Sequence, residues 1–173
     1  MKIRPDVLTL VQQQVGLEEY SVRVYMEIAN WCGFNGFSGA QKFFNERAQE
    51  ESTHRDKIID FLLGCNYLPE LAPIPSPAYA LNVLEDCINT GLIHEQKISA
   101  SIKKIMETAD SDPEDHVTCA FFQWFINEQR EEEAIYLDLQ AWCNQIGLFS
   151  DAPDWAKGMM RVELDEKLED YRD

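Results

Sequence analysis

Glu51 and His54 stand three residues apart in Ala48-Gln49-Glu50-Glu51-Ser52-Thr53-His54, which on a helix sets a carboxylate and an imidazole on one face, one turn apart. Alone, such a pair arises often by chance. Here it interrupts an apolar repeat, Phe44, Ala48, Glu51, His54, Ile58, Phe61, and three more repeats are interrupted in the same manner. They read Leu8, Val11, Val15, Glu18, Val22, Tyr25, Ala29; then Leu81, Leu84, Ile88, Gly91, Glu95, Ile98, Ile102, Ile105; then Phe122, Phe125, Gln129, Glu132, Tyr136, Leu139, Cys143, Ile146. Steps of three and four keep each set on one helical face, so the acids point where the hydrophobic side chains point. A buried carboxylate must be paired, protonated or bound to a metal. Glu18, Glu51, Glu95, Glu132 and His54 together make an oxygen-rich ligand set that suits iron or manganese better than a thiolate-loving metal, with zinc also open.

Four helices must bring these residues to one level, and their boundaries are marked. Pro5 and Asp6 suit a first helical turn, and Gly33-Phe34-Asn35-Gly36-Phe37 reads as the turn that ends this first helix near Cys32. Ser38 with Gln41 is a capping-box pattern opening a second helix that runs to about Gly64. Pro69, Pro73, Pro75 and Pro77 exclude a helix from Cys65 to Ala80, the one long connection. A third helix is predicted from about Ala80 to Ala109, and Asp112-Pro113-Glu114-Asp115 caps a fourth that stops near Gly147. A shorter amphipathic segment follows Pro153.

Helices of about 26 residues are ~40 Å long. About 13 extended residues reach ~43 Å. The proline-rich connection therefore carries the chain back along the whole bundle and makes the second and third helices parallel, while the short turns give antiparallel pairs. Counting the helical rise, the acids fall roughly 18 to 25 Å into each helix, near mid-height.

Composition bounds the remaining classes. The 173 residues suit one domain, with eight glycines, seven prolines and no low-complexity segment. Five cysteines without a Cys-x-x-Cys pair read as reduced core residues of a cytoplasmic protein. No long apolar run follows Met1-Lys2-Ile3-Arg4-Pro5-Asp6, so neither a signal peptide nor a membrane span is expected. The net charge of −16 repels nucleic acid and anionic lipid and makes cations the natural partners.

Gly16-Leu17-Glu18-Glu19-Tyr20, the Ala48–His54 segment and Asn127-Glu128-Gln129-Arg130-Glu131-Glu132-Glu133 resemble the metal-site segments of bacterial non-haem ferritins, and the similarity extends from about Pro5 to Leu168. The resemblance implies an all-α, ferritin-like four-helix bundle with a long crossover between the second and third helices and a short fifth helix, as a single domain over residues 1–173. It further implies a ferroxidase and iron store of about 24 identical subunits, which oxidises iron(II) with dioxygen or hydrogen peroxide and keeps iron(III) as a mineral. Glu18, Glu51 and His54 would hold one iron; Glu51, as a bridge, with Glu95 and Glu132 would hold a second. Gln129 would orient a bound water or oxygen species. Glu50, Glu128 and Glu131 would form a neighbouring third iron position. Tyr25 would be the aromatic that lends an electron, with Trp124 as a helper.

Ser52 stands where haem-binding relatives carry methionine, and Glu132 where they carry histidine, so haem is not expected. Cys119 and Phe122 fall where animal ferritins line their threefold channel with acids, which leaves Asp112, Glu114 and Asp115 as candidates for an access route. His94 and His116 are expected at the surface, and Met159 and Met160 in packing. Two rivals share the pattern. A rubrerythrin-like peroxidase would use the same dimetal chemistry but normally carries a Cys-x-x-Cys electron-transfer module, and a purely structural bundle would hold the acids in hydrogen bonds.

Overall fold

A computed structural model describes residues 2–111 and 115–171. Their secondary structure consists of α1 (Pro5–Phe34), α2 (Ser38–Gly64), α3 (Leu84–Asp110), α4 (His116–Gln145) and α5 (Asp154–Glu169), with no strand among the described residues. Three of the helix ends share one chemistry. After α1, Gly36 turns left-handed at φ +85° while the Phe37 amide bonds the Cys32 carbonyl at 2.9 Å. Gly147 and Leu148 repeat this after α4, and Asn66 and Tyr67 after α2, so orphan carbonyls are satisfied and the chain is turned back each time.

Two starts differ from expectation. Ser38 is not a cap: it is the exposed first helical residue of α2, and Phe37 occupies the cap position without a side-chain bond. The free amide of Ala40 is satisfied instead by Asp165 Oδ1 of α5 at 2.7 Å, a tertiary contact that local sequence does not reveal. The third helix opens at Leu84 rather than near Ala80, because Val83 is extended and the Asp86 carboxylate accepts from the amides of Asn82 and Val83 at 2.9 and 3.1 Å. Leu81 therefore packs on the core from the connection, ahead of α3. The expected Asp112–Glu114 cap lies outside the described residues. Asp115 precedes α4, is buried, and accepts from Thr118 Oγ1 at 2.8 Å.

Side-chain bonds fix the helix directions. Ile3 meets Tyr67 and Glu19 meets Arg55, so α1 and α2 are antiparallel. Arg4 bonds the Thr108 carbonyl and Ser21 bonds His94, so α1 and α3 are antiparallel as well. It follows that α2 and α3 run parallel, as the long connection requires. Ser99 with Glu133 and Asn89 with Gln140 make α3 and α4 antiparallel. This is the expected all-α four-helix bundle plus a short fifth helix.

The apolar interior is split in two. One cluster takes Val24 to Cys32, Ala40 to Ala48, Leu84 to Leu92, Tyr136 to Leu148, and Leu164 and Leu168 of α5. The other takes Ile3 to Val15, Ile58 to Cys65, Ile98 to Ala109, and Phe122 with Phe125. Between them lies a buried polar belt of Gln14, Glu18, Ser21, Glu51, His54, His94, Glu95, Gln129 and Glu132. Each apolar half supplies ordinary burial energy, about 1.5–3 kcal/mol per large side chain. The belt opposes it and needs its own explanation.

His94 departs from the surface position expected for it. It is 3% exposed, because the belt on α3 faces the small Ser21 of α1, whose Oγ lies 2.8 Å from Nε2. His116 is exposed as expected. Met159 is 63% exposed rather than packed, since α5 presents Leu164 and Leu168 to the core and turns Met159 away, while Met160 is half-buried against the first cluster. All five cysteines are free thiols.

Candidate metal centre

Each wall of the bundle contributes to the belt: Glu18 from α1, Glu51 and His54 from α2, Glu95 from α3, and Gln129 and Glu132 from α4, all six buried. Ligand atoms of Glu18, Glu51 and His54 lie within 4.8 Å of one another, and so do those of Glu51, Glu95 and Glu132. Glu51 belongs to both triads. The structure thus brings together every residue expected to hold the two metals. A third such group joins His54, Glu128 and Glu132. Glu50 and Glu128 are half-buried and Glu131 is exposed, so the outer acids border the belt from the solvent side.

The belt is aimed. Gln14 donates from Nε2 to Glu18 Oε1 at 2.8 Å, and Ser101 in turn donates to Gln14 Oε1. Gln129 donates to Glu95 Oε2 at 2.9 Å, and the Tyr25 hydroxyl donates to Glu95 Oε1. Gln129 therefore holds a carboxylate directly. Tyr25 is fully buried, with its ring stacked on Phe44 and Tyr136 and edge-on to His94. The Trp124 ring stands 5.5 Å from the His54 ring and is partly exposed, with the Lys57 ammonium over its face. Gln14 and Ser101 escaped the sequence reading, although Gln14 lies one turn before Glu18 and i, i+4 spacing is the signal that finds it.

Burial dominates the electrostatics. Desolvation pushes the Glu18 carboxyl up to about 7, against the lowering effect of Glu51 and Gln14 beside it. It also raises Glu51, Glu95 and Glu132, with neighbouring acids adding to the effect at Glu51 and Glu132. Desolvation drives His54 down to about 4, helped by Lys57 and Arg47. His54 Nδ1 lies 3.5 Å from Glu51 Oε2, yet both groups move toward their neutral forms, so this contact is not an ion pair. Without a cation, burial biases the four acids toward their protonated forms and His54 toward its neutral form. Glu18 Oε2, Glu51 Oε2, Glu132 Oε2 and His54 Nδ1 are buried without a hydrogen-bond partner. Buried polar atoms rarely stay unsatisfied. One multivalent cation, or two, would supply what all of these atoms lack, and hard oxygen donors with one imidazole are compatible with iron.

The Ferritin-like domain family model matches residues 8–146. The chain belongs to the ferritin family. It is 31% identical over 134 residues to a bacterial non-haem ferritin of Escherichia coli, covering 78% of this chain and 81% of the relative. A bacterial non-haem ferritin of Campylobacter jejuni is 33% identical over 131 residues, covering 76% and 78%. The open pore ferritin of the archaeon Archaeoglobus fulgidus superposes with a TM-score of 0.87 at 25% identity, over 98% of both chains. A humanized archaeal ferritin superposes at 0.88 over 99% of this chain and all of the other, at 24% identity, which speaks for the fold alone. Among the described residues of this ferritin, no helix is long and apolar enough to cross a membrane.

Of the positions named for an access route, Phe122 is fully buried, Cys119 is half-buried, and Asp115 is buried and bonded to Thr118. Asp112 and Glu114 lie outside the described residues.

Proposed function

We propose that this ferritin is a cytoplasmic iron store with ferroxidase activity, built as a hollow shell of about 24 subunits. Support comes from one observation above all: two buried triads share Glu51 and leave four ligand atoms without partners. Glu18, Glu51 and His54 bind one iron(II), and Glu51, Glu95 and Glu132 bind the other. Both ions are substrates that pass on to the mineral. Each gives up one electron, and dioxygen takes the pair together with two protons to leave as hydrogen peroxide. With peroxide as oxidant, two electrons and two protons give two waters.

The chain's own part is electrostatic. Carboxylates stabilise the harder, more highly charged iron(III) product more than the iron(II) substrate, so the site favours oxidation. Gln129 and Gln14 hold Glu95 and Glu18 in place, which lowers the reorganisation needed when charge builds up. The buried Tyr25 lends a further electron in this reading, which its hydrogen bond to Glu95 supports. Haem has no part in this reading.

The test is stopped-flow absorbance after mixing metal-free protein with about two iron(II) per subunit in air-saturated buffer. A fast phase saturating near that ratio is expected, and Glu51→Ala should abolish it while the shell still assembles. Oxidation no faster than in protein-free buffer would leave the acids as structural groups.

A further inference from the structure

Beside the belt, on its solvent side, α2 and α4 border a cavity of about 280 Å³ lined by Arg47, Glu50, Glu128, Glu131, Glu132 and Tyr171. Four carboxylates there look like a place for one more cation. A cation is already present. Arg47 lies one turn before Glu51, is only 8% exposed, and carries a guanidinium that stays charged under all ordinary conditions. Its Nη2 donates to Glu50 Oε1 at 2.8 Å, and its guanidinium carbon lies 5.4 Å from the centre of the Phe43 ring. A buried guanidinium needs such a carboxylate, because leaving it unpaired is strongly unfavourable.

The ligand geometry narrows the outer position. The close group at this border, His54, Glu128 and Glu132, takes two of its three members from the two inner triads, and among the described residues no close group of three includes Glu50 or Glu131. Glu50 gives an oxygen to Arg47, and offering that oxygen to a metal ion would break the pair. The guanidinium also repels an incoming divalent ion at short range, in a partly dry environment that screens charge weakly.

Resting on the dimetal reading above, we infer that Arg47 acts as the built-in cation of the outer cavity, so that iron passes through this cavity to the dimetal pair without being held there. The protein then binds two ions tightly per subunit, and an outer ion binds tightly only when the charge on residue 47 is removed. The acids at 50, 128 and 131 become a conduit lined by carboxylates rather than a third storage position.

Calorimetric titration of the assembled metal-free protein with zinc(II), and with iron(II) under strict exclusion of oxygen, tests this directly. Two tight ions per subunit are expected in the unaltered protein and in Arg47→Lys, which keeps the charge. Arg47→Gln, checked for native helicity and assembly, should gain a third ion bound roughly tenfold or more tightly than any outer ion of the parent. Three tight ions in the unaltered protein overturn the inference, whether or not the variants fold. A correctly assembled Arg47→Gln that still binds two also overturns it, while leaving the ferroxidase reading intact. Absence of any tight ion in the parent would remove both.

Discussion

The Tyr25 hydroxyl donates a hydrogen bond to Oε1 of Glu95, joining α1 to α3 across 70 positions of sequence and tying an oxidisable ring to a candidate iron ligand. Burial and the nearby Glu95 raise the phenol well above its usual range, so it keeps its proton at ordinary pH. Glu95 is also held by Gln129, so removing the Tyr25 donor leaves the carboxylate one hydrogen bond.

Tyr25→Phe preserves the ring stack with Phe44 and Tyr136 and removes only the donor. The loss of stability should be about 1 kcal/mol, the usual net worth of one hydrogen bond. Metal stoichiometry should not change, whereas repeated rounds of iron oxidation should slow severalfold and a rapid-freeze tyrosyl radical signal should vanish. A radical signal of undiminished size in the variant would place the electron donor elsewhere.

Gly91 makes that stack possible. A Cβ at this position would stand 2.3 Å from Cε1 and 2.5 Å from Cζ of Tyr136. Alanine would gain up to about 1 kcal/mol in helix propensity, but overpacking a filled core costs about 1–3 kcal/mol. Overpacking wins here, because Tyr136 is wedged between Tyr25 and Phe43 and cannot swing aside. Gly91→Ala should therefore be destabilising by up to about 2 kcal/mol on denaturant unfolding. Coupling of more than about 0.5 kcal/mol is expected when it is combined with Tyr136→Ala. Additive effects would show that the ring is not the obstacle.

Glu18 makes stability depend on pH and on metal in opposite ways. Its carboxyl titrates near 4.5 when unfolded and is raised to about 7 in the fold, so between those values the native state binds the extra proton. Its contribution is full below about pH 4.5 and is lost as pH rises toward 7. The shift corresponds to roughly 3 kcal/mol at most. Glu18→Gln keeps an acceptor for Gln14 and cannot ionise. Metal-free Glu18→Gln should match the parent at pH 4.5 and surpass it progressively up to pH 8 in urea melts. With metal the order should invert, since binding to the parent displaces the proton and strengthens with pH. A pH-independent difference in the metal-free state would contradict the burial account.

What the sequence made legible followed from periodicity. Glu18, Glu51, His54, Glu95, Gln129 and Glu132 were found because each occupies an apolar phase, and Cys65 to Ala80 was found because prolines forbid a helix. Residues that act through distant partners left no such trace. His94 sits one step off the seam, and only the approach of Ser21 from α1 shows that it is inside. Arg47 and Gln14 carry ordinary surface chemistry in the sequence, and only their spacing of four from Glu51 and Glu18 hinted at the belt. Ser38 offered a plausible cap, but the amide it would serve is bonded by a side chain 125 residues away.

That distant cap gives α5 a measurable hold on the bundle. Asp165 Oδ1 accepts from the Ala40 amide at 2.7 Å, the Asp165 carbonyl is so close that a Cβ on Gly39 would stand 2.1 Å from it, and Arg161 pairs with Glu85 through two bonds of 2.8 and 2.9 Å. Asp165→Ala removes the cap and should cost about 1 kcal/mol. The loss should show as faster hydrogen exchange at Ala40 and along α5. Asp165→Asn retains a good cap and should restore protection. Neither change touches the polar belt, so rapid iron oxidation should proceed at the parent rate. If Asp165→Ala slowed oxidation while Asp165→Asn did not, α5 would be coupled to the metal centre through α2, and the two halves of the interior would not be independent.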